Sequence, residues 1–385
     1  MNPSNTSQTH FDVLIVGAGP AGATAALALR QSGLRVGLLD KASSPRDKVC
    51  GDAIPGPALR VLSELGFGDE AAAFPQKEMV TSSRLVAPNG KSLTIHWVTK
   101  AFNSRRMDFD AFLLDLVRMH SDVQVLEAQE VKQVAVEQDA VKVTTVGQEF
   151  TCQILIGADG ANGITAKQLA GFSLDRQHHC AAVRAYCKDL PGVEAGVNEF
   201  YLLEGYLPGY FWIFPLENGW VNVGFGMLSA TVADKNLNLR KTLQAITTTH
   251  PLLKKRFAQA SLIEKTLGFG LPLGSRRWPL SGERYLLAGD AGSLIDPLQG
   301  HGIDKAMLSG KLAAEQAIRC FEEQRFDAAF LKTYDQAVYR RCGFEFRKNY
   351  RLLILLNRFP RLVNVIVNAG QQRWLWEFFQ KCMYG

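Results

Sequence analysis

Three glycines and one aspartate near the amino terminus have the types and the spacing of a nucleotide-binding turn. Gly17, Gly19 and Gly22 follow an apolar run, and Asp40 ends the next apolar run, eighteen residues after Gly22. In such a turn the first glycine permits the sharp bend, the second lets a pyrophosphate approach the main chain, and the third lets a helix pack closely on a strand. A carboxylate at the position of Asp40 accepts hydrogen bonds from ribose hydroxyls. These residues predict a dinucleotide site.

The turn needs a strand before it, a helix after it and a second strand beside the first. Residues 11–16 (FDVLIV) predict a buried parallel strand, residues 23–33 (ATAALALRQSG) a helix, and residues 34–39 the second strand. The amino-terminal end of the helix offers unpaired N–H groups and a partial positive charge to a phosphate. An ordinary glycine-rich turn is the alternative, but it leaves the second strand and its terminal acid unexplained.

Composition limits the classes of protein that fit. The chain has 385 residues, room for about two domains, and its net charge of +6 is too small to favour nucleic acid as a partner. Seven cysteines without a C-x-x-C pair argue against a disulfide framework and against a zinc site. The polar first ten residues do not resemble a signal peptide, and no apolar stretch reaches about 18 residues. We therefore expect a cytoplasmic protein that touches a membrane at most peripherally.

Three further segments place glycines and charged residues at predicted turns. They are residues 106–110 (RMDFD), 154–163 (ILIGADGANG) and 285–307 (YLLAGDAGSLIDPLQGHGIDKAM). In the last segment a strand ends at Gly289-Asp290, and a turn from Pro297 to Gly302 opens a helix that extends from Ile303 to about Glu323. This order resembles the FAD domain of the glutathione-reductase-like, hydroxylase-type flavoproteins over most of residues 11–172 and 283–323. NAD is the weaker candidate cofactor, because the fold of a simple NAD-dependent dehydrogenase does not explain the 285–302 segment.

The resemblance implies where parts of FAD bind. Asp290 would hydrogen-bond the ribityl chain, and Arg106 would lie near the flavin or its phosphates. The N–H groups from Gly300 to Ile303 would face the pyrimidine end of the flavin, where a helix amino terminus stabilises the negative charge that develops on reduction. The alternatives are a helix cap for Asp290 and a surface ion pair for Arg106.

Two other segments narrow the resemblance. Residues 46–53 (RDKVCGDA) and residues 209–226 (GYFWIFPLENGWVNVGFG) look like the geranylgeranyl reductase family, flavoenzymes that saturate isoprenoid double bonds, and so do residues 357–370 (NRFPRLVNVIVNAG). The resemblance spans nearly the whole chain. The chain departs from the wider flavoprotein pattern in its middle turn, where Gly163 and Ala166 replace the usual Ser and Arg, so only the Asp159-Gly160 part of that turn is carried over.

The fold expected from these segments is α/β (α+β overall), with a Rossmann-like FAD-binding domain, an inserted antiparallel-sheet substrate domain and a C-terminal helical segment. The expected bounds are residues 8–75, 101–176 and 276–339 for the FAD-binding domain, 76–100 and 177–275 for the substrate-binding domain, and 340–385 for a helical cap. The residues expected to bind the cofactor are Gly17, Gly19, Pro20, Ala21, Gly22, Asp40, Lys41, Cys50, Gly51, Arg106, Asp159, Gly289, Asp290, Pro297, Gly300, His301, Gly302 and Ile303.

Two residues in these segments could supply a proton during catalysis. The resemblance places Cys50 beside the flavin ring, where its thiol could protonate the carbon opposite a delivered hydride; the alternative is a small residue packed in a tight turn. His301 lies in the turn that would face the flavin and could donate a proton or bias the charge of the reduced flavin. Its alternative is a solvent-facing turn residue. No metal-ligand spacing is visible.

Alternation along residues 220–226 (WVNVGFG) predicts a strand with Val221, Val223 and Phe225 on one face and Asn222, Gly224 and Gly226 on the other.

Aromatic residues crowd the predicted strands of the substrate domain. Most of them are expected in the core, but Tyr210, Trp212 and Phe214 are predicted to line an apolar pocket over the flavin. After residue 340, basic residues alternate with apolar runs, which predicts two amphipathic helices hinged at Pro360. These helices suit either a cap on the FAD domain or a peripheral contact with a membrane.

The expected activity is FAD-dependent reduction of carbon–carbon double bonds in an isoprenoid or other apolar substrate, by hydride transfer from N5 of the reduced flavin. NADPH or another donor would reduce the flavin, although the chain has no second Gly-x-Gly-x-x-Gly turn. The main alternative is a flavin monooxygenase or halogenase acting on an aromatic or carrier-bound substrate, since residues 211–215 (FWIFP) approach the halogenases' Trp-x-Trp-x-Ile-Pro, with Tyr210 where the first Trp would stand. The remaining alternative is a flavin-binding redox sensor that does not turn over a substrate. The sequence assigns no oligomeric state.

Overall fold

The structure of the protein is a computed structural model, in which residues 9–262 and 264–371 are described. Its strands are β1 (Thr9–Val16), β2 (Val36–Leu39), β3 (Ala53–Ile54), β4 (Glu78–Val86), β5 (Ser92–Asn103), β6 (Gln124–Leu126), β7 (Val131–Val136), β8 (Val141–Thr145), β9 (Glu149–Gly157), β10 (His179–Lys188), β11 (Val197–Tyr201), β12 (Tyr210–Pro215), β13 (Trp220–Leu228), β14 (Ser261–Leu262), β15 (Leu267–Pro272), β16 (Ser281–Gly282) and β17 (Tyr285–Leu287). Its α-helices are α1 (Pro20–Leu29), α2 (Gly56–Glu64), α3 (Gly68–Ala73), α4 (Arg106–His120), α5 (Thr165–Ala170), α6 (Ser229–Asp234), α7 (Leu239–Thr249), α8 (Lys254–Phe257), α9 (Ile303–Glu322), α10 (Ala328–Arg358) and α11 (Leu362–Gly370).

The first sheet has a parallel centre. Its strand order is β16-β17-β9-β1-β2-β6, and β1 pairs in parallel with both β2 and β9. The side chains of β1 are buried on both faces because helices cover one face and the antiparallel strands β7 and β8 lie over the other. The predicted strand–helix–strand unit is therefore confirmed.

Helices α1 and α9 pack directly on each other beside this sheet. Gly310 of α9 lies against the main chain of Ala21, and any side chain at residue 310 would overlap the Ala21 carbonyl oxygen. This close approach places the amino-terminal ends of both helices at the same edge of the sheet, where two parts of one elongated cofactor can reach them.

The second sheet has the order β14-β10-β13-β12-β11-β4-β5-β3, and β15 also pairs with β10. The sheet is antiparallel as predicted, except that β4 and β11 pair in parallel. One face, which includes Phe211, Ile213 and Val223, packs against α7. The opposite face carries the alternate residues of β12 and β13, so the predicted division of strand β13 into an apolar face and an Asn/Gly face is confirmed.

The C-terminal helices differ from the expected domain division. Helix α10 is continuous from Ala328 to Arg358, so it crosses the expected boundary at residue 340 and joins the cap to the FAD domain. Helix α11 is bent by 116° relative to α10 at the break that contains Pro360, and Val363 and Val367 pack on Leu93 of β5. The predicted pair of helices is present; Arg373, Lys381 and the WLWEFF run lie outside the described residues.

In residues 9–262 and 264–371, no single helix combines the length and apolar character needed to cross a membrane. Helices α10 and α11 meet the criterion only when they are taken together as a bent pair.

Candidate active site

The glycine turn after β1 has the geometry that a bound phosphate requires. Gly17 has φ +104°, and a side chain there would collide with the main chain of Ala158; a side chain on Gly22 would collide with the Gly17 carbonyl oxygen. Gly19 differs, because a Cβ at this position would meet only the Arg46 guanidinium, at 3.7 Å. The amino terminus of α1 has no side-chain cap among the described residues. The turn therefore leaves helix N–H groups facing an open space beside a cation, which suits a pyrophosphate.

Asp40 lies at the carboxyl end of β2, buried beside this turn. Its Oδ2 accepts hydrogen bonds from the Ala18 N–H at 2.8 Å and from Arg46 at 3.1 Å, and its Oδ1 accepts one from the Ala42 N–H at 2.9 Å. These bonds fix the carboxylate beside the glycine turn, next to the space in which a ribose would lie. Its contact with the ribose, like a contact from the exposed Lys41, remains a prediction.

Arg106 is buried and forms a two-point ion pair with Asp110, with Nε–Oδ1 at 2.7 Å and Nη2–Oδ2 at 2.8 Å. Burial opposes the charge on Arg106, but Asp110 and the nearby Cys50 thiol outweigh it and raise the pKa of Arg106 above its ordinary value. The alternative of a surface ion pair is therefore wrong. Arg46 also reaches Asp110, at 3.5 Å, so Asp40, Asp110 and two arginines form one network beside the glycine turn.

The Gly289-Asp290 turn lies between α1 and α9. Gly289 has φ +63°, and a side chain there would press on Ala21 and Ala306. The Asp290 carboxylate is not a cap for α9; it forms an ion pair with Lys48, whose Nζ lies 3.3 Å away. Lys48 was not among the expected site residues, although it belongs to the same 46–53 segment. The ribityl contact of Asp290 remains a prediction.

The turn from residue 296 to residue 302, here called the 296–302 turn, is held by Asp296. Its Oδ1 accepts hydrogen bonds from the N–H groups of Leu298 and Gln299, at 2.9 and 2.8 Å, and its Oδ2 accepts one from Asn349 of α10, at 2.6 Å. Gly300 has φ +71°, and the amino terminus of α9 has no side-chain cap among the described residues. The start of α9 therefore has N–H groups that no described side chain caps, although the Gly300 N–H donates to the Asp296 carbonyl oxygen at 3.0 Å. The predicted contact of the segment from Gly300 to Ile303 with the flavin stays a prediction.

His301 forms a charge pair at the start of α9. Its Nδ1 lies 2.9 Å from Asp304 Oδ1. Burial disfavours the charged imidazole, but Asp304 outweighs this effect and raises the pKa of His301 above its usual value, while His301 and Lys305 hold the pKa of Asp304 low. The pair therefore favours the protonated form of the His301 imidazole.

Asp296, His301 and Glu345 bring ligand atoms within 4.8 Å of one another. Asp296 already accepts a hydrogen bond from Asn349, and Glu345 is already ion-paired with Lys305. The prediction that the protein has no metal site stays a prediction.

Asp159, in the middle turn, has its carboxylate directed into its own chain. It accepts hydrogen bonds from the Ile164 N–H at 2.7 Å, from the Thr165 N–H at 3.0 Å and from the Thr165 hydroxyl. This carboxylate occupies the space that a side chain at Gly163 would need, which explains the glycine at that position. A cofactor contact for Asp159 remains a prediction.

Strand β12 brings the predicted pocket residues to the Cys50 segment. Gly51 packs on Phe214 and Trp212, since a Cβ at residue 51 would lie 3.2 Å from the Phe214 ring and 3.7 Å from the Trp212 indole nitrogen. The Tyr210 hydroxyl donates a hydrogen bond to the Gln299 carbonyl of the 296–302 turn at 2.6 Å. The aromatic face of β12 therefore links the half-buried Cys50 to the 296–302 turn.

A buried polar network behind Cys50 was not predicted from the sequence. Asp52 is fully buried and accepts hydrogen bonds from Tyr186 and Asn222, and burial raises the pKa of Asp52 to about 6. The sequence held one usable signal, because Asn222 falls on the same predicted strand face as two glycines. No signal in the sequence indicated that Tyr186 and Arg184 belong to this network, because alternation along a strand does not reveal which groups meet across a sheet.

These features fit FAD. The glycine turn with Asp40 and Arg46 would hold its ADP part, and the Gly289-Asp290 turn with the 296–302 turn would hold its flavin part. When bound, FAD supplies the capacity to accept and deliver a hydride.

Comparisons with known proteins agree with this geometry. Residues 10–341 match the FAD binding domain family. The chain is similar to a menaquinone reductase of Mycobacterium tuberculosis, with 32% identity over 318 residues that make up 79% of this chain and 76% of the relative. It is also similar to a digeranylgeranylglycerophospholipid reductase 2 of Methanopyrus kandleri, with 29% identity over 93% of this chain and 89% of the relative.

Solved structures show the same fold. A geranylgeranyl bacteriochlorophyll reductase-like protein of Thermoplasma acidophilum superimposes with a TM-score of 0.83 and 22% identity, over 95% of this chain and 93% of that chain. The flavin-dependent brominase Bmp2 superimposes with a TM-score of 0.76 and 21% identity, over 97% of this chain and 93% of that chain. The chain therefore belongs to the FAD-binding domain family and is an FAD-dependent oxidoreductase of the geranylgeranyl reductase type.

Proposed function

We propose that this oxidoreductase reduces carbon–carbon double bonds of an isoprenoid chain on a lipid or quinone. The observation that carries the proposal is the packing of the Cys50–Gly51 turn against the aromatic face of β12, with Tyr210 bonded to the 296–302 turn. That arrangement provides an apolar wall beside a thiol, and an apolar wall orients an alkene without offering it polar partners. Relatives named as reductases of a menaquinone and of a digeranylgeranyl lipid support the substrate class.

Within this proposal, residues in different parts of the site have different roles. The glycine turn, Asp40 and Arg106 bind and orient the cofactor, while Tyr210, Trp212 and Phe214 exclude water from the reacting carbon atoms. The expected division into an FAD-binding and a substrate-binding domain is kept as part of this proposal, with the first and second sheets at their centres. NADPH or another reductant supplies the electrons.

Product analysis tests the proposal. FAD-loaded protein is incubated with a chemical reductant and either a prenylated quinone or a prenylated glycerolipid, with and without oxygen, and the products are weighed by mass spectrometry. A product heavier by two hydrogens, formed without oxygen, supports an alkene reductase. A product that gains oxygen or halide only in air supports the monooxygenase or halogenase alternative, and the absence of any product leaves the redox-sensor alternative.

Replacing Cys50 by alanine is expected to slow alkene reduction about a hundredfold, because a positioned general acid contributes about that factor. Reduction of the bound flavin by the electron donor should be unaffected. Stopped-flow absorbance separates the two half-reactions. If His301 is the donor instead, His301→Gln will carry the loss, and the wild-type rate will fall as the pH rises through the raised pKa of His301.

We also propose a peripheral membrane contact through the ends of α10 and α11. Apolar side chains there are exposed to solvent beside exposed arginines: they are Ile354, Leu355, Phe359, Val365 and Ile366, next to Arg351, Arg358 and Arg361. Apolar side chains flanked by cations favour an anionic lipid surface. The contact would bring the pocket to a substrate dissolved in the bilayer.

Liposome flotation is expected to recover the protein with vesicles that contain anionic lipid, more weakly with zwitterionic vesicles, and much less in high salt. The double variant Phe359→Asp with Val365→Asp should lose most of this binding. Val146→Asp, which also changes an exposed valine but lies between β8 and β9, serves as the matched control. Equal recovery of both variants would refute the proposed surface.

A further inference from the structure

Asp52 is buried directly after the Cys50–Gly51 turn. Its main chain has the left-handed conformation, with φ 65°, which is uncommon for a residue other than glycine. Its carbonyl oxygen accepts a hydrogen bond from the Ser104 N–H at 2.9 Å. The residue is thus held firmly from the side of α4, and its side chain is directed into the second sheet.

The two carboxylate oxygens of Asp52 differ in their hydrogen bonding. Oδ2 accepts hydrogen bonds from the Tyr186 hydroxyl at 2.6 Å and from the Asn222 amide at 2.7 Å. Oδ1 is buried and has no hydrogen-bond partner among the described residues. A buried carboxylate oxygen without a partner is costly, so the structure must gain something from keeping an acid there.

Asn222 connects this carboxylate to both sides of the pocket. Its amide group also donates a hydrogen bond to the Cys50 carbonyl oxygen at 2.9 Å, and its Oδ1 accepts one from the Trp212 indole N–H at 2.8 Å. A single amide side chain thereby joins Asp52, the Cys50 main chain and the pocket wall.

We propose that Asp52 is a positioning residue that, through Asn222, holds the Cys50 main chain and the Trp212 indole in fixed relation, and that its charge determines how firmly they are held. The inference rests on the proposed function, because it assigns a part in the same site. A charged acceptor makes hydrogen bonds about twice as strong as a neutral one, so protonation of Asp52 weakens the link without removing it.

The charges around Asp52 allow its protonation state to change. Arg184 and Arg105 lie on the Tyr186 ring, with guanidinium carbons 4.0 and 4.8 Å from its centre, and Arg106 also faces the carboxylate. These cations and the two hydrogen bonds favour the charged form, while complete burial outweighs them and raises the pKa of Asp52 to about 6. Two other acids of the cluster, Asp47 and Glu264, are paired with Arg184, at 2.8 and 3.5 Å. The Asp52 carboxyl group is therefore charged at pH 8 and protonated at pH 5.

The rate at which iodoacetamide alkylates Cys50 tests the inference without any substrate. The rates are measured by peptide mass spectrometry on FAD-loaded wild type, Asp52→Asn and the matched control Asp47→Asn, between pH 5 and pH 8.5. Asparagine keeps an acceptor for Tyr186 and Asn222 but carries no charge, so it mimics the protonated acid. We expect Asp52→Asn to react at least about fivefold faster than wild type at pH 8, because weaker hydrogen bonds to a neutral acceptor hold the Cys50 main chain less firmly and leave its thiol easier to reach. At pH 5, where Asp52 of the wild type is protonated, the two rates should be equal.

The measured quantity is the ratio of the Cys50 alkylation rate in the variant to that in the wild type. If this ratio stays at one for Asp52→Asn throughout the pH range, or if Asp47→Asn gives the same ratio, the inference is overturned. Tyr186→Phe removes one donor to the carboxylate but leaves the charge of Asp52 in place, so a smaller rate increase in this variant at pH 8 cannot come from the loss of a charge near the thiol. If Tyr186→Phe shows no increase, the inference is overturned, whether or not Asp52→Asn folds. In turnover, Asp52→Asn should lower kcat at pH 8 while leaving KM within about twofold. A wild type that reduces no alkene refutes the proposed function alone, because the alkylation ratio is read independently.

Discussion

Replacing Gly22 by alanine is expected to abolish FAD binding, with a loss of at least about a hundredfold in affinity. The added methyl group would overlap the Gly17 carbonyl oxygen, which belongs to the main chain and cannot turn aside. The turn between β1 and α1 must then open, and a steric conflict of about 3 kcal/mol corresponds to that factor. Flavin absorbance after gel filtration and titration of the FAD-depleted protein with FAD measure the loss.

Gly19→Ala is the matched comparison. Its methyl group meets only the Arg46 side chain, at 3.7 Å, and its φ of −76° suits alanine, so the FAD-depleted variant should melt at the wild-type temperature. It should nevertheless bind FAD more weakly, because the methyl group enters the space assigned to the pyrophosphate. Wild-type affinity in Gly19→Ala would show that the phosphates do not lie against this turn.

Asp52→Asn is expected to be more stable than the wild type at pH 8, by up to about 3 kcal/mol in the free energy of unfolding. The pKa of Asp52 rises from 3.8 to about 6 on folding, mainly because the carboxyl group is buried. Between these two values the native state binds more protons than the unfolded state, so stability falls as the pH rises from about 4 to about 6. Above pH 6 the full cost of the buried charge is present, and asparagine avoids it.

Urea unfolding of FAD-depleted wild type and variant across this pH range measures the difference, which should vanish near pH 4. Asp47→Asn again serves as control, because the Asp47 side chain is 38% exposed and ion-paired, and its removal should not stabilise the protein. A variant that is less stable than wild type, by an amount that grows as the pH rises above about 4, would mean that the hydrogen bonds to Tyr186 and Asn222 outweigh the burial of charge. Stability gained together with a slower reaction would identify Asp52 as a residue kept for function.

The first strand–helix–strand unit was predictable because its determinants are local. A glycine with positive φ, a helix packed on its own strand and an acid at the next strand end are all set within residues 9–40. The start of α9 was predictable for the same reason, since the 296–302 turn closes on its own acid, Asp296, and contains its own glycine with positive φ. FAD as the cofactor and the reductase family followed from a resemblance carried by several such local segments in one order.

Other features depend on contacts between segments far apart in the chain, and no local pattern encodes them. Helix α10 continues across residue 340, and beyond that residue Glu345 and Asn349 bond Lys305 of α9 and Asp296 of the 296–302 turn. The pairing of β4 with β11 joins strands more than a hundred residues apart.

The polar network at Asp52 shows the same division most clearly. The sequence by itself determined that Cys50 follows a strand of the cofactor domain and that Asn222 shares a strand face with two glycines. That Asn222 reaches both Cys50 and Asp52, 172 and 170 residues away, was decided only when the second sheet packed over the first. Burial then changes the acidity of Asp52, because a charge loses its hydration only when the tertiary structure closes around it.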